Sequence, residues 1–420
     1  MNVDHDLPVG PVERCQITGS TDLFEVIDLG HQPPCDSLLS ESMLDQPETT
    51  YPLRLLLCPQ SGLAQLDYVV DGASIFHPEY PYRSGISKPL ADYQRTFADR
   101  VVARFGIGPA ELCVDVGSND GTLLTGFARH GVRALGVEPT NIAQIARSEN
   151  GIDTIQSFFT EQVARDIVEE RGPAKIVTMT NVFAHMATLG EVMRGLDRLL
   201  APDGVFVTES QYLLDVLEKN QFDGIYHEHI RTYSLKSLVT LFPQYGMEVF
   251  DVERGERYGG NIRAYVGRRG RHTLGPAVAE LLEHEERRGL FDPRAWAAFR
   301  DRVGEQRDRF MEFAYGAKAR GELLVANSCP GRSSTLINYY GVDRHLMPYI
   351  CELPSSLKLG HFLPGKHIPI IENGRLFQAQ PRHVVLLAWH YAEFMVASLR
   401  AAGLRSQFVV PLPEFALLDA

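Results

Sequence analysis

The segment FDGIYHEHIRTYSL sets Tyr226, His227, Glu228 and His229 in consecutive positions. Imidazole titrates near neutrality, so such a histidine can take a proton from a carbon made acidic by a neighbouring carbonyl. A Glu beside it can orient the ring and stabilise its protonated form, and a Tyr hydroxyl can hydrogen-bond a developing enolate oxygen. Two other readings stand beside this one. H-x-H suits zinc or iron, although the H-E-x-x-H of zincins is absent. A polar loop bounded by Ile225 and Ile230 can also do no more than hydrogen-bond backbone.

A second chemical signal lies upstream in ELCVDVGSNDGTLL. An apolar run ending in Asp115 and Val116 enters Gly117-Ser118-Asn119-Asp120-Gly121 and then an apolar-periodic stretch. Glycine allows a tight turn and close approach of backbone to a ligand. The turn amides and helix start favour electron-rich groups. The next strand signal, ALGVEP, ends in Glu138, 21 residues after Gly117. An acid there can accept hydrogen bonds from two ribose hydroxyls. The spacing is G-x-x-x-G, not the G-x-G-x-x-G of nicotinamide dehydrogenases. An ordinary strand–turn–helix with a surface Glu is the plainer reading of the glycines alone.

The elements that must position these residues fall into three regions. Residues 1–90 hold short strand signals, such as FEVIDLG and YPLRLLL, between Pro, Gly and Asp. Residues 91–268 alternate buried-type strands (LCVDVGS, RALGVEP, KIVTMTNV, GVFVTES) with helical spacing, as in an α/β parallel sheet. Residues 269–420 begin with two helices split at Asp292-Pro293. A second α/β alternation follows, with ELLVANS, HLMPYICEL, HIPIIE and HVVLLAW as strands.

The glycine turn, with Asp115 before it and Glu138 after it, resembles motif I of class I S-adenosylmethionine (SAM) methyltransferases. KIVTMTNVFAHM fits the end of their fourth strand, and the Pro-Asp-Gly turn of LLAPDGVFVTES the start of their fifth. The resemblance narrows at F-D-x-I-Y-x-E-H, with N-x-x-x-H upstream and G-G-x-x-R downstream. Together these are similar to the sugar C-methyltransferases, of the NDP-4-keto-hexose 3-C-methyltransferase type found in antibiotic deoxysugar pathways. The likeness covers nearly the whole chain. It implies an α/β class I SAM methyltransferase core with a Rossmann-like sheet. A small strand-rich, zinc-binding-like domain would precede the core, and a C-terminal α/β Rossmann-like domain would help hold the acceptor.

Carried over residue by residue, the resemblance makes His229 the general base, with Tyr226 and Glu228 as companions. His185 becomes the active-site histidine after the fourth strand, and Tyr82 the tyrosine of Y-x-Y-x-S, with Tyr80 as its alternative. SAM would be held by Asp115, Gly117, Asn119, Gly121 and Glu138. Phe158 and Phe159 are candidates for the adenine face, with core packing as their alternative, and Asn181 for the pocket wall. The acceptor would be a small molecule carrying a ketone, a nucleotide-sugar by family likeness.

The pattern breaks in two places. Family members carry two C-x-x-C pairs in the N-terminal domain. Here the pairs read Cys15…Thr18 and Cys58…Ser61. Hydroxyls are poor replacements for thiolates, so zinc is not expected, unless His31 and Cys35 complete a site. In the C-terminal domain VANSCPGRSSTLINYYG replaces a Gly-Ala-rich turn, and His390-Tyr391 stand where the family tends to have Asn. Arg332 with Ser333 and Ser334 can bind phosphate at a helix start. Arg83, Arg263, Arg332 and Lys358 are candidate counter-charges for a diphosphate.

Composition narrows the classes. With 41 basic and 53 acidic residues among 420, the chain carries a net charge of −12, which argues against a nucleic-acid or membrane-surface binder. No apolar run approaches the roughly 20 residues that span a bilayer. The N-terminus shows no signal-peptide pattern and six cysteines make no disulfide framework, so a cytoplasmic monomer or homodimer is expected. The rival functions are methylation of oxygen, nitrogen or a non-sugar carbon, and a binding protein that has lost catalysis.

Overall fold

The computed structural model describes residues 5–77 and 80–418. Its central sheet is built from β1 (Leu112–Val116), β2 (Arg133–Val137), β3 (Thr154–Ile155), β4 (Ala174–Thr180), β5 (Leu200–Gln211), β6 (Met247–Gly255) and β7 (Asn261–Arg268). The strand order is β6-β7-β5-β4-β1-β2-β3. Strands β1 to β5 run parallel, and β7 is antiparallel to both β5 and β6. Every residue of β1 is buried, as expected for a strand covered by helices on both faces. The chain moves outward from β1 to β3 and returns to β4, beside β1. The order therefore reverses between β1 and β4, and the crevice beyond their carboxyl ends is where such sheets bind ligands.

One wall of that crevice starts from the helix Lys88–Phe105, which has proline in its first turn and stops at Gly106 in the left-handed conformation. Its apolar face, including Phe97 and Val101, packs with Leu124 and Phe127 of the helix Thr122–Ala128.

The N-terminal strands Phe24–Gln32, Tyr51–Leu57 and Ala64–Leu66 form an antiparallel sheet. Its fourth strand is Arg231–Thr232, which pairs with Ala64–Leu66. The residues directly after His229 thus belong to the N-terminal sheet, although they lie inside the region read from sequence as the core.

The two helices expected after the core are Pro276–Arg287 and Pro293–Ala319. Asp292 caps the second by accepting from the Arg294 amide at 2.9 Å. The C-terminal sheet comprises β8 (Leu324–Asn327), β9 (Ile350–Glu352), β10 (Ile370–Glu372), β11 (His383–Leu386), β12 (Gln407–Val410) and β13 (Ala416–Leu418), in the order β10-β9-β8-β11-β12-β13. All pairs are parallel except β12–β13. β8 to β11 fall on the runs read as strands. β12 and β13 lie outside the runs read as strands.

One continuous apolar cluster joins the three parts, including Leu55, Val177, Phe222 and Val384. Among the described residues no helix is long and apolar enough to cross a membrane.

Candidate active site

A cavity of about 560 Å³ opens beyond the ends of β1 and β4. That size suits a small-molecule site. Asp115, Gly117, Asn119, Glu138, Phe158, Phe159 and Asn181 line it together with Tyr82, His185, Tyr226, Glu228 and His229. Of the residues expected to hold SAM or to carry the catalysis, Gly121 alone is not on the wall. It supplies the turn into the helix Thr122–Ala128 at φ +76°.

The turn after β1 explains its glycine. Gly117 has φ +68°, and a Cβ there would lie 2.4 Å from Cγ2 of Val182. Asn119 also sits in the left-handed region, at φ +50°. Its amide donates to Oε2 of Glu138 at 2.9 Å, which pins the turn to the end of β2. Oε1 of Glu138 accepts from the Thr140 amide and hydroxyl at 3.0 and 2.8 Å. Three of the roughly four acceptor positions of a carboxylate are taken, and Oε2 keeps one for a hydroxyl in the cavity.

Asp115 does a different job. Its Oδ1 accepts from the Thr178 hydroxyl at 2.6 Å, joining β1 to β4, and burial pushes its pKa up to about 7. Phe158 and Phe159 also part company. Phe159 is buried against Gly195 in the core, whereas Phe158 is 46% exposed and offers a free aromatic face. Asn181, at φ +56°, holds its backbone amide on the Glu209 carbonyl at 2.7 Å. Its Nδ2 is buried without a partner, as is the Ser118 hydroxyl on the same wall. Unpaired buried donors, a spare carboxylate acceptor and an open aromatic face fit a nucleoside-bearing cofactor.

At the other end lies the histidine cluster. Nδ1 of His229 is 2.8 Å from the carbonyl oxygen of Gly224. A carbonyl only accepts, so Nδ1 carries the proton and Nε2 keeps its lone pair. Burial lowers the pKa of His229 to about 4, so the ring is neutral at ordinary pH. The ring of Tyr226 stacks at a tilt on it, centroids 4.0 Å apart, and the ring of His185 lies 4.9 Å away. Burial also drives His185 well below the usual histidine range, and its Nε2 has no partner.

Arg231 braces this end from behind. Its guanidinium donates to the Phe183 carbonyl at 3.0 Å, to the Met186 carbonyl, to Oε1 of Gln16 and to the Tyr233 hydroxyl. It thereby clamps the turn that carries His185 to the N-terminal segment.

Three neighbours of His229 find partners elsewhere. Glu228 does not orient His229. It accepts from the Cys35 thiol at 3.3 Å and from the Tyr80 hydroxyl at 3.0 Å. Burial, aided by Asp36, pushes its pKa up to about 7. Tyr80, the alternative to Tyr82, thereby reaches the cluster. Tyr82 hydrogen-bonds the Tyr258 hydroxyl at 2.8 Å, and its carbonyl accepts from the Asn119 side chain. His227 shares no partner with His229, since its Nε2 lies 3.2 Å from the Pro52 carbonyl, so H-x-H does not converge as a ligand pair.

Three stretches match known family models: residues 15–76 the "Putative zinc binding domain", 90–252 the methyltransferase domain and 256–413 the C-methyltransferase C-terminal domain. Over 98% of this chain and 98% of the relative, the sequence is 33% identical to C-methyltransferase NovU of Streptomyces niveus. The chain belongs to the C-methyltransferase family. It is a SAM-dependent methyltransferase enzyme with a class I α/β core. Among solved structures, the CcbJ methyltransferase of Streptomyces caelestis is 14% identical, covering 42% of this chain and 89% of its own, at a TM-score of 0.32. The magnesium protoporphyrin IX methyltransferase of Synechocystis PCC 6803, with bound SAM, is also 14% identical, covering 43% and 81% at 0.32.

In this C-methyltransferase the turns that begin at Cys15 and Cys58 are built alike. Gly19 donates to the Cys15 carbonyl at 2.7 Å, and Gly62 to the Cys58 carbonyl at 2.8 Å. The four ligand positions converge, with Cys15 Sγ 3.2 Å from the Ser61 hydroxyl and Cys58 Sγ 3.8 Å from that of Thr18. Two thiols and two hydroxyls do not fit a Cys₄ zinc site. Cys35 does not complete the set, because it lies against Glu228. Cys35, Asp36 and Glu228 are the one cluster of metal-type donors among the described residues, and the Lys358 ammonium sits 2.5 Å from Asp36.

The candidate counter-charges are each paired within the protein. Arg83 meets Glu149 at 2.8 Å, Arg263 meets Glu209 at 2.6 Å, Arg332 meets Asp223 at 2.9 Å and Lys358 meets Asp36. The helix start at Arg332 is closed as well. The Ser333 and Ser334 amides donate to the Pro330 and Gly331 carbonyls, and both serines are buried.

Proposed function

We propose that the enzyme methylates the carbon next to a ketone in a nucleotide-linked 4-keto-deoxysugar, with His229 as the general base. The observation that carries the base is the Gly224 carbonyl on Nδ1 of His229, which leaves Nε2 unprotonated in a ring lining the cavity. When bound, SAM supplies an electrophilic methyl group. Glu138 would receive a ribose hydroxyl, Phe158 would face the adenine, and Gly117 would let the backbone approach. Nε2 of His229 removes the proton beside the ketone. The resulting imidazolium keeps its Nδ1–H on Gly224, and the new enolate charge beside it offsets the cost of charging a buried ring. His185 and Tyr226, whose ring centroids lie 4.9 and 4.0 Å from that of His229, would donate to the enolate oxygen. The walls supplied by all three parts of the chain exclude water and align the carbon for transfer.

The nucleotide-sugar rests on the motif F-D-x-I-Y-x-E-H and its companions, and on kinship with a C-methyltransferase. One observation favours a second reading, a ketone without a diphosphate: Arg83, Arg263, Arg332 and Lys358 all have acidic partners. Mass spectrometry of the enzyme with SAM and matched panels of dTDP-4-keto-deoxyhexoses and carrier-free ketones separates the two. A C-methylated nucleotide-sugar is the expected product. Methylation confined to the carrier-free panel refutes the nucleotide.

A further inference from the structure

A backbone carbonyl holds the base, so whatever fixes that carbonyl sets the base. Gly224 ends the short turn Phe222–Gly224, and both its neighbours are tied to the C-terminal lobe. The Asp223 carboxylate is fully buried. It accepts from Arg332 Nη2 on Oδ1 at 2.9 Å and from Trp389 Nε1 on Oδ2 at 2.8 Å, with Arg332 Nε also 2.9 Å from Oδ2. The Ile225 carbonyl accepts from the Thr335 hydroxyl at 3.1 Å. Arg332 and Thr335 lie on one helix, Arg332–Tyr340. From the core side, Gln211 packs so closely on Gly224 that a Cβ would lie 2.1 Å from its Nε2. The turn is gripped from both sides, and its carbonyl has little room to swing.

We propose that Asp223 and Arg332 are positioning residues: their buried ion pair, made across the junction of core and C-terminal lobe, fixes the Gly224 carbonyl and with it the tautomer and aim of His229. The C-terminal lobe then does more than wall the acceptor pocket, because docking it completes the base. Arg332 also donates to the Tyr258 carbonyl at 2.8 Å, so one guanidinium ties the catalytic turn to the segment before β7. The inference rests on the reading of His229 as the base, but its test does not need the acceptor.

The test is ¹⁵N NMR of the full-length protein with labelled histidine, at neutral pH, comparing wild type with Arg332→Ala and Asp223→Asn. The wild-type His229 ring should show protonated Nδ1 and bare Nε2. Both variants should lose that single tautomer, and added guanidinium should restore it in Arg332→Ala. SAM affinity by calorimetry should stay within about twofold, since the pair does not touch the Gly117 turn. Where an exchangeable ketone substrate is in hand, deuterium wash-in should fall about 10²-fold in the variants, as expected for a misaimed group. If Arg332→Ala does not fold, Asp223→Asn keeps the side chain's shape, removes its charge and gives the same comparison. An unchanged His229 tautomer in a folded variant overturns the proposal. A tautomer that responds in an enzyme that never methylates a ketone refutes the proposed reaction and leaves the positioning pair standing.

Discussion

The carbonyl oxygen of Gly224 accepts the Nδ1 proton of His229 at 2.8 Å, five residues along the chain. A carboxylate in that place would raise the imidazole's basicity and carry a full charge into the pocket. A carbonyl fixes the tautomer without the charge. The site therefore keeps a neutral imidazole in a buried pocket and leaves Glu228, the adjacent acid, to other partners.

The pH dependence of proton removal should reflect that choice. Burial holds the pKa of His229 near 4, below its ordinary 6.5, so Nε2 stays free through the range where a solvated histidine would titrate. Deuterium wash-in measured against pH should show no histidine limb near 6.5, with the loss from this ring falling near 4. Stability carries mixed signs. An unfolded His229 takes up its proton from about pH 6.5, and the folded site refuses it until about 4, so this ring destabilises the fold as pH falls through that window. Asp115 and Glu228 work the other way. Their pKa values are raised to about 7, so the stability they contribute is present at low pH and lost as pH rises toward 7.

At the cofactor end, Glu138→Ala removes the acceptor proposed for a cofactor hydroxyl and the anchor of the Asn119 amide. Hydrogen bonds to charged groups are worth about 1.5–3 kcal/mol, so SAM affinity should drop roughly 10- to 100-fold in calorimetry. Gly117→Ala should lose SAM binding too, because its φ of +68° and the 2.4 Å approach of Val182 both reject a side chain.

Arg263, the arginine of G-G-x-x-R, belongs to a buried network. Glu209 binds Arg263 at 2.6 Å, Arg257 at 3.1 Å and the Tyr93 hydroxyl at 2.7 Å. Glu209→Ala removes the acid that both buried guanidinium groups share and leaves Arg263 only its half-exposed partner Glu253. It should cost about 3–5 kcal/mol in denaturant unfolding, well beyond a surface substitution.

What the sequence made legible was local. The glycine turn, Glu138 and the Tyr226–His229 run could be read because their residues are near neighbours in the chain or lie at a characteristic spacing. The tether of His229 could not, since any residue presents a carbonyl. Asp223 and Arg332 stand 109 residues apart, and Cys35 and Glu228 193 apart. Only the packed fold brings such pairs together. Phe158 and Phe159 were indistinguishable by type, and burial alone separates the free ring from the core ring.

The N-terminal turns offer a gain-of-function test. Thr18→Cys combined with Ser61→Cys places four thiols where Cys15, Cys58 and two hydroxyls now meet. That double variant should take up one zinc ion. At zinc 100-fold above Kd its stability should rise by about 2.7 kcal/mol, whereas the natural sequence should unfold identically with and without chelator.

The central claim is that His229 removes the acceptor's proton. The most direct measurement is deuterium wash-in beside the ketone, in D₂O without SAM, for wild type and for His229→Asn. Asn keeps an amide that can donate to Gly224 and lacks the base. Wild type should exchange the proton, and the variant should be slower by about 10²- to 10⁴-fold at undiminished SAM affinity. Exchange at the wild-type rate in His229→Asn would contradict the assignment.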